Sequence, residues 1–238
     1  MPSMPLLKAL VRAGAGPRRW AADAIREGRV QVNGETVTGF HHQVTAADRI
    51  SIDGRHIPIK PSKTVCVVLN KPAGILSTTH DERGRRTVID LLPSRFARLA
   101  LHPVGRLDKD STGLLLLTND GDLTYRLTHP SFGHEKEYLV QVEPALLPGE
   151  RARLEQGLQL KDGITSPARV RPMREVPFNY SIVIHEGRKH QVRRMFQKLG
   201  HRVLALKRVR IGNLQMGDLA EGEVRELTNE EVRRLASG

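Results

Sequence analysis

The first part of the chain changes from helical to strand-like spacing of its apolar residues. Apolar residues recur at helical spacing twice, at Leu6, Leu7, Leu10 and Val11 and again at Trp20, Ala21, Ala24 and Ile25. The segment Val30–Val32 then alternates apolar and polar residues, as a half-buried strand does. Asn33-Gly34 follows it, and this dipeptide is a strong signal for a two-residue hairpin turn. The pattern predicts two short helices followed by a β-hairpin.

Beyond residue 64 the apolar runs are short and numerous, which favours strands. Strands are predicted over residues 65–69, 114–117, 138–142 and 204–212, and strand-rich sequence continues to Glu186. Helices are predicted over residues 122–128 and 188–199, and Thr228 with Glu231 forms a capping box for a last helix. Many short strands with few regularly alternating helices predict an α+β fold, with a largely antiparallel mixed sheet flanked by helices.

The segment 58–63 is typical of a linker, because it contains two prolines, a serine and two lysines. We therefore predict a small domain over residues 1–60 and a larger domain over residues 61–238. Apolar residues make up 39% of the chain, which is enough for a real core.

Charge and cysteine content restrict the class of protein. The net charge of +12 favours a polyanionic partner, although an anionic membrane would also attract it. No apolar run approaches the ~20 residues that span a bilayer, and the N-terminus lacks a secretory signal. We therefore expect a cytoplasmic protein without a membrane partner. The single Cys66 excludes an internal disulfide, and the histidines lack the spacing of a zinc site.

The segment 105–121, GRLDKDSTGLLLLTNDG, combines charge, glycine and an aliphatic run, and we interpret it as an active site. Arg106 and Asp108 are two residues apart, so extended backbone places both side chains on one face, at the mouth of the core that follows. One alternative is a solvated surface turn. Another is a calcium loop, but Asn119 occupies the position where such a loop needs a bidentate glutamate.

Four ordered motifs carry a resemblance to a known family. Besides the segment at 105–121 they are LNKPAG at 69–74, HEKEYLV at 134–140 and EGRKHQVRRMF at 186–196. Together they resemble the pseudouridine synthases, specifically the bacterial RsuA/RluB/RluE/RluF family that modifies ribosomal RNA. The AGAGPRR and GRVQVNG segments near the N-terminus are similar to the αL RNA-binding module of certain ribosomal proteins and tRNA ligases.

The resemblance implies roles for particular residues. Asp108 would attack the anomeric carbon, stabilise oxocarbenium character or remove a sugar proton, and the sequence leaves these routes open. Arg193 would pair with Asp108 and keep it ionised. Tyr138 would stack on the extruded base, the alternative being a core tyrosine. Lys71 lies in a loop that is either a structural turn or part of the site. The residues expected to bind RNA are Arg18, Arg19, Lys71, Arg106, Arg188, Lys189 and Arg194.

The implied reaction moves uracil from a nitrogen linkage to a carbon linkage without net redox change, so no cofactor and no metal are expected. The expected partner is ribosomal RNA or a ribosomal assembly intermediate, bound by a monomer. The HEKEYLV and GRLDKDS motifs favour a uridine of the large subunit. Alternatives are a small-subunit or tRNA target, and a noncatalytic RNA-binding assembly factor that uses both domains as a basic clamp.

Overall fold

The structure is a computed structural model that describes residues 3–16, 18–58, 64–97 and 99–237. The chain divides into two compact units, one of residues 1–64 with 95–100 and one of residues 65–94 with 101–238. The linker predicted at 58–63 lies almost entirely outside the described residues, so the boundary at residue 60 stays a prediction.

The first unit contains two helices and two small antiparallel sheets. The helices are α1 (Leu6–Arg12) and α2 (Arg18–Arg26). The strands are β1 (Met4–Pro5), β2 (Val30–Val32), β3 (Glu35–Thr36), β4 (Gln43–Val44), β5 (Ile50–Ile52) and β6 (Arg55–Ile57). β1 pairs with β4, and the other four strands form a sheet in the order β3-β2-β5-β6.

The predicted helix, helix, hairpin order of this unit is confirmed. The apolar stripes of α1 and α2 supply its core, in which Leu6, Leu10 and Ile25 have no exposed surface. Asn33 and Gly34 turn the hairpin with positive φ angles of 53° and 92°, as a type I′ turn requires.

The second unit is built on a sheet of nine strands. Its strands are β7 (Cys66–Lys71), β8 (His102–Pro103), β9 (Thr112–Thr118), β10 (Lys136–Glu143), β13 (Arg169–Pro172), β14 (Tyr180–Ile184), β15 (Arg202–Ile211), β16 (Leu214–Gln215) and β17 (Val224–Glu226). The main path runs β13-β14-β10-β15-β9-β7-β17, with β16 beside β15 and β8 beside β9. A separate hairpin joins β11 (Gln159–Leu160) to β12 (Gly163–Ile164).

The helices of this unit are α3 (Gly121–Thr128), α4 (Glu150–Gln156), α5 (Gln191–Lys198) and α6 (Asn229–Ser237), with 3-10 turns at Val88–Leu91 and Pro130–Phe132. A further 3-10 turn, Ser94–Phe96, begins at the last residue before the 95–100 segment of the first unit. Leu114 and Leu116 of β9 are buried in a cluster with Leu123 and Leu127 of α3 and Leu235 of α6. The α+β prediction is therefore confirmed, including the mixed sheet. Within the described part of the chain, no helix is long and apolar enough to cross a membrane.

One strand pair of the large sheet, β9 with β15, is parallel, whereas the other pairs are antiparallel. Gly113 lies opposite Arg208 in this pair, with a φ of 99°. A Cβ atom at Gly113 would overlap the backbone carbonyl of Arg208. Only glycine therefore permits the two strands to approach this closely.

The pairing of β10 with β15 is irregular at two places. Glu137 pairs with Arg210 and Tyr138 pairs with Arg208, so Val209 is an extra residue between them. A bulge of this kind redirects side chains. Because Glu137 and Tyr138 are consecutive in a strand, they lie on opposite faces of the sheet. Their partners Arg210 and Arg208 therefore also lie on opposite faces.

Candidate active site

A cavity of about 480 Å³ lies in the second unit. Its lining comes from the loop that precedes β9, the C-terminal end of α3, the strands β10 and β15, and the loop that leads into α5. Three of the four family-like motifs, at 105–121, 134–140 and 186–196, contribute to it. The structure therefore brings together segments that are far apart in the sequence.

Asp108 lies in this lining, with a side chain that is 33% exposed. The side chain beside it is not the one predicted, since Nε2 of His190 lies 3.3 Å from the Asp108 carboxylate. His190 precedes α5 and has a φ of 52°, the left-handed region that few residues other than glycine adopt. This conformation brings the imidazole to the carboxylate.

The predicted pair between Arg193 and Asp108 is not present in this structure and stays a prediction. Arg193 lies in the first turn of α5, and its guanidinium donates to the carbonyl oxygens of Val203 at 3.0 Å and Asp110 at 3.4 Å. Arg193 also lines a smaller recess, together with Val203. The helix direction after His190 decides this, because it turns Arg193 towards β15. A catalytic role for Arg193 stays a prediction.

Tyr138 lies in β10, is only 8% exposed and lines the cavity. Its neighbour on β15 is Arg208, which also lines the cavity and is 2% exposed. Lys136, two residues before Tyr138, lies in the same lining, and burial and then nearby Arg208 lower its pKa to about 8. Burial and Lys136 also lower the pKa of His134, a buried residue of this wall.

Lys71, one of the residues expected to bind RNA, is buried in the structure, and its RNA contact stays a prediction. Its side chain has no exposed surface, and its Nζ donates to the carbonyl oxygens of Pro72, Lys109 and Ser111 at 2.7, 3.2 and 2.8 Å. Burial lowers its pKa to about 8. Lys71 therefore fixes the loop that carries Asp108, which is the structural alternative for this motif.

The arginines around α5 are engaged within the protein. Arg188 donates to the carbonyl oxygens of Asp162, Gly163 and Ile164 and to the carboxylate of Glu186. Arg194 makes two hydrogen bonds to the carboxylate of Asp162, at 2.8 and 2.9 Å. Both residues therefore act as clamps on the β11–β12 hairpin, and their roles in RNA binding stay predictions.

The remaining predicted RNA contacts are accessible. Arg106 and Lys189 are exposed and lie in the cavity lining. Arg18 and Arg19 are exposed at the start of α2, in the first unit. Their roles stay predictions.

Four residues that line the cavity were not predicted from the sequence, namely Arg208, Lys136, His134 and His190. Three of them belong to the segments HEKEYLV and HQVRR, but no sequence pattern shows which side chains face a cavity. Arg208 lies two residues after Leu206 in a strand of apolar and basic residues. Regular alternation along this strand would place Arg208 on the same face as Arg210.

No group of three or more metal-binding side chains occurs among the residues that the structure describes. Cys66 is buried in β7, and burial raises its pKa to about 12, so it is a packed core residue rather than a nucleophile.

The comparisons with known proteins agree with this geometry. Residues 65–198 match the RNA pseudouridylate synthase family. The chain belongs to this family. Residues 4–50 match the S4 domain, at the position where the sequence predicted an RNA-binding module.

Individual relatives extend the match to nearly the whole chain. "Ribosomal large subunit pseudouridine synthase B" of Bacillus subtilis is 40% identical over 235 residues, which cover 97% of this chain and 94% of the relative. "Dual-specificity RNA pseudouridine synthase RluF" of Salmonella typhi is 36% identical, with 97% and 78% covered. A crystal structure of a pseudouridylate synthase is 33% identical and superposes with a TM-score of 0.70, covering 98% of this chain and all of the other. The predicted enzyme class and an RNA partner are confirmed.

Proposed function

We propose that this pseudouridylate synthase converts one uridine of large-subunit ribosomal RNA to pseudouridine, acting as a cytoplasmic monomer. The observation that carries the proposal is the cavity that holds Asp108 and Tyr138 together behind exposed cations. The name of the Bacillus subtilis relative, which is 40% identical, supports a large-subunit ribosomal RNA substrate for this chain too.

The cavity fits a single extruded nucleotide. An enzyme that acts on a base must first take it out of the stack, and Tyr138 offers a buried aromatic face for that base. Asp108 is then the carboxylate available to the anomeric carbon. The exposed side chains of Arg106 and Lys189 at the cavity carry positive charge for the flanking phosphates.

Extrusion costs less where a base is already unpaired, and proteins read RNA sequence mainly in loops and bulges. The target uridine should therefore lie in such an element of the ribosomal RNA.

Pseudouridine mapping tests the proposal. Total RNA from a strain that lacks the gene should lose one large-subunit pseudouridine, which the native protein restores and Asp108→Asn does not. Loss of a small-subunit or tRNA site instead would overturn the substrate assignment. Persistent RNA binding by the native protein without any modification would favour the assembly factor.

A further inference from the structure

Arg208 is an unusual arginine, because it is buried and has no charged partner among the residues that the structure describes. Its Nε donates to the carbonyl oxygen of Leu114 at 2.8 Å, while its buried Nη2 has no hydrogen-bond partner. Burying a charged donor without a partner costs more stability than burying a neutral one. An anion that entered the cavity would supply the missing acceptor.

The sheet holds this guanidinium in one place. Gly113 lets β9 approach β15 closely at Arg208. The Arg208 Nε therefore reaches the carbonyl oxygen of Leu114, the residue that follows Gly113 in β9. The bulge at Val209 places Arg208 beside Tyr138 in the cavity wall, while Arg210 pairs with Glu135 and Glu137. Of these two arginines, Arg210 is neutralised by carboxylates and Arg208 is not.

The same wall contains a second cation, Lys136, for which the described residues supply no carboxylate partner. Lys136 Nζ donates to the carbonyl oxygen of His134 at 3.2 Å, and the charged residue that shifts its pKa is Arg208, which lowers it. Two neighbouring cations in a desolvated wall favour any negative charge that forms beside them.

The position of the pair indicates which anion it binds. Phosphate groups remain on the RNA backbone, and the exposed Arg106 and Lys189 are placed to meet them. Arg208 lies 2% exposed beside the tyrosine on which the base stacks. The group that enters this deeply is the base itself.

We propose that Arg208, assisted by Lys136, is a catalytic residue that stabilises the uracil anion released when the glycosidic bond breaks. The proposal rests on the function given above and names a residue for its first chemical step.

The chemistry balances by any route open to Asp108. When the N1–C1′ bond breaks, its electron pair stays on uracil, where N1, O2 and O4 share the charge. The positive character left at C1′ is met by the charge of the Asp108 carboxylate, by an Asp108 O–C1′ bond, or by loss of the C2′ proton. The base then turns and C5 bonds to C1′, and in this step the O–C1′ bond breaks again or the proton returns to C2′. Finally C5 loses its proton and N1 gains one. Arg208 donates to the anionic oxygen and exchanges no proton.

The test uses the full-length protein and ribosomal RNA labelled with [5-³H]uridine in a strain that lacks the gene, since the C5 proton is released on turnover. Arg208→Ala should lower the single-turnover rate of tritium release by about 100- to 1000-fold, as loss of one oxyanion donor does, with the Kd for RNA within about threefold of native. Guanidinium ion at tens of millimolar should restore part of the rate to Arg208→Ala, whereas urea, which has the same shape without the charge, should not.

Arg210→Ala is the matched control, because its donors are met within the protein, and it should keep the native rate. Should Arg208→Ala fail to fold, Arg208→Gln keeps a donor for Leu114 and loses the charge, and the same rate loss is expected. A rate within about threefold of native for a folded Arg208 variant, or a loss confined to RNA affinity, would overturn the inference. Native protein that releases no tritium would instead refute the proposed function.

Discussion

Asp108 is held in place before RNA binds, because His190 lies 3.3 Å away and Lys71 fixes the loop around it. Asparagine has the same size but no ionised oxygen. We expect Asp108→Asn to lower the single-turnover rate by at least about 10³-fold, with RNA affinity and Tm close to native. Asp110→Asn changes an exposed neighbour in the same loop and should retain the rate. A near-native rate for Asp108→Asn would remove the central assignment.

Lys71 makes stability depend on pH. The unfolded chain keeps the ordinary lysine pKa of 10.5, whereas burial lowers the folded value to about 8. Between these values the unfolded state binds more protons, so this residue makes the free energy of unfolding rise with pH. We expect the stability of the native protein relative to Lys71→Met to increase from pH 8 to pH 10.5 in urea unfolding. Lys189 is exposed, so the stability difference between native protein and Lys189→Met should not change over this pH range. A difference between native protein and Lys71→Met that does not change with pH would argue against burial of the ammonium group.

At the scale of elements, the parallel contact of β9 with β15 depends on one glycine. Gly113→Ala would place a Cβ against the Arg208 carbonyl at a φ of 99°. We expect a loss of about 3 kcal/mol or more in the free energy of unfolding, because backbone strain and overpacking act together. Gly121→Ala, at the open start of α3, should remain within about 1 kcal/mol of native. Equal melting curves for the two variants would contradict the close approach.

Elements specified by local signals could be predicted from the sequence. Asn33-Gly34 gave the hairpin, and the capping box of Thr228 with Glu231 is present at 2.8 and 3.2 Å. The continuation of strands to Glu186 was wrong at Glu150–Gln156, where α4 forms. This helix is short and buries one leucine, Leu154, so its apolar pattern is weak.

The site was predicted less completely, because its geometry depends on pairing between distant strands. The cavity position of Asp108 followed from its motif. The position of Arg208 depends on a bulge and a parallel contact that leave no periodic signal. Arg193 was expected at Asp108, but the direction of α5 is set by packing against β15 and could not be read from residue types.

At the scale of the whole molecule, the net charge of +12 should make RNA binding strongly dependent on salt. If Arg18 and Arg19 each contact a phosphate, replacing both with glutamine should reduce the slope of log Kd against log salt by about 1.4 to 1.8. Arg233 and Arg234 of α6 are exposed, and their double glutamine variant removes the same charge. An equal change of slope in both variants would show that only total charge matters.

The burial of Lys71 also makes this residue a chemical reporter. An amine-reactive ester acylates an exposed lysine such as Lys189 in the native protein, but it cannot reach an amine with no accessible surface. Acylation of Lys71 must therefore wait until the surrounding sheet opens. An acylated side chain can no longer occupy its site among the three carbonyl groups, so each labelled molecule records one opening. With enough ester for acylation to outpace reclosing, the labelling rate of Lys71, followed by mass spectrometry, measures how often the sheet around it opens.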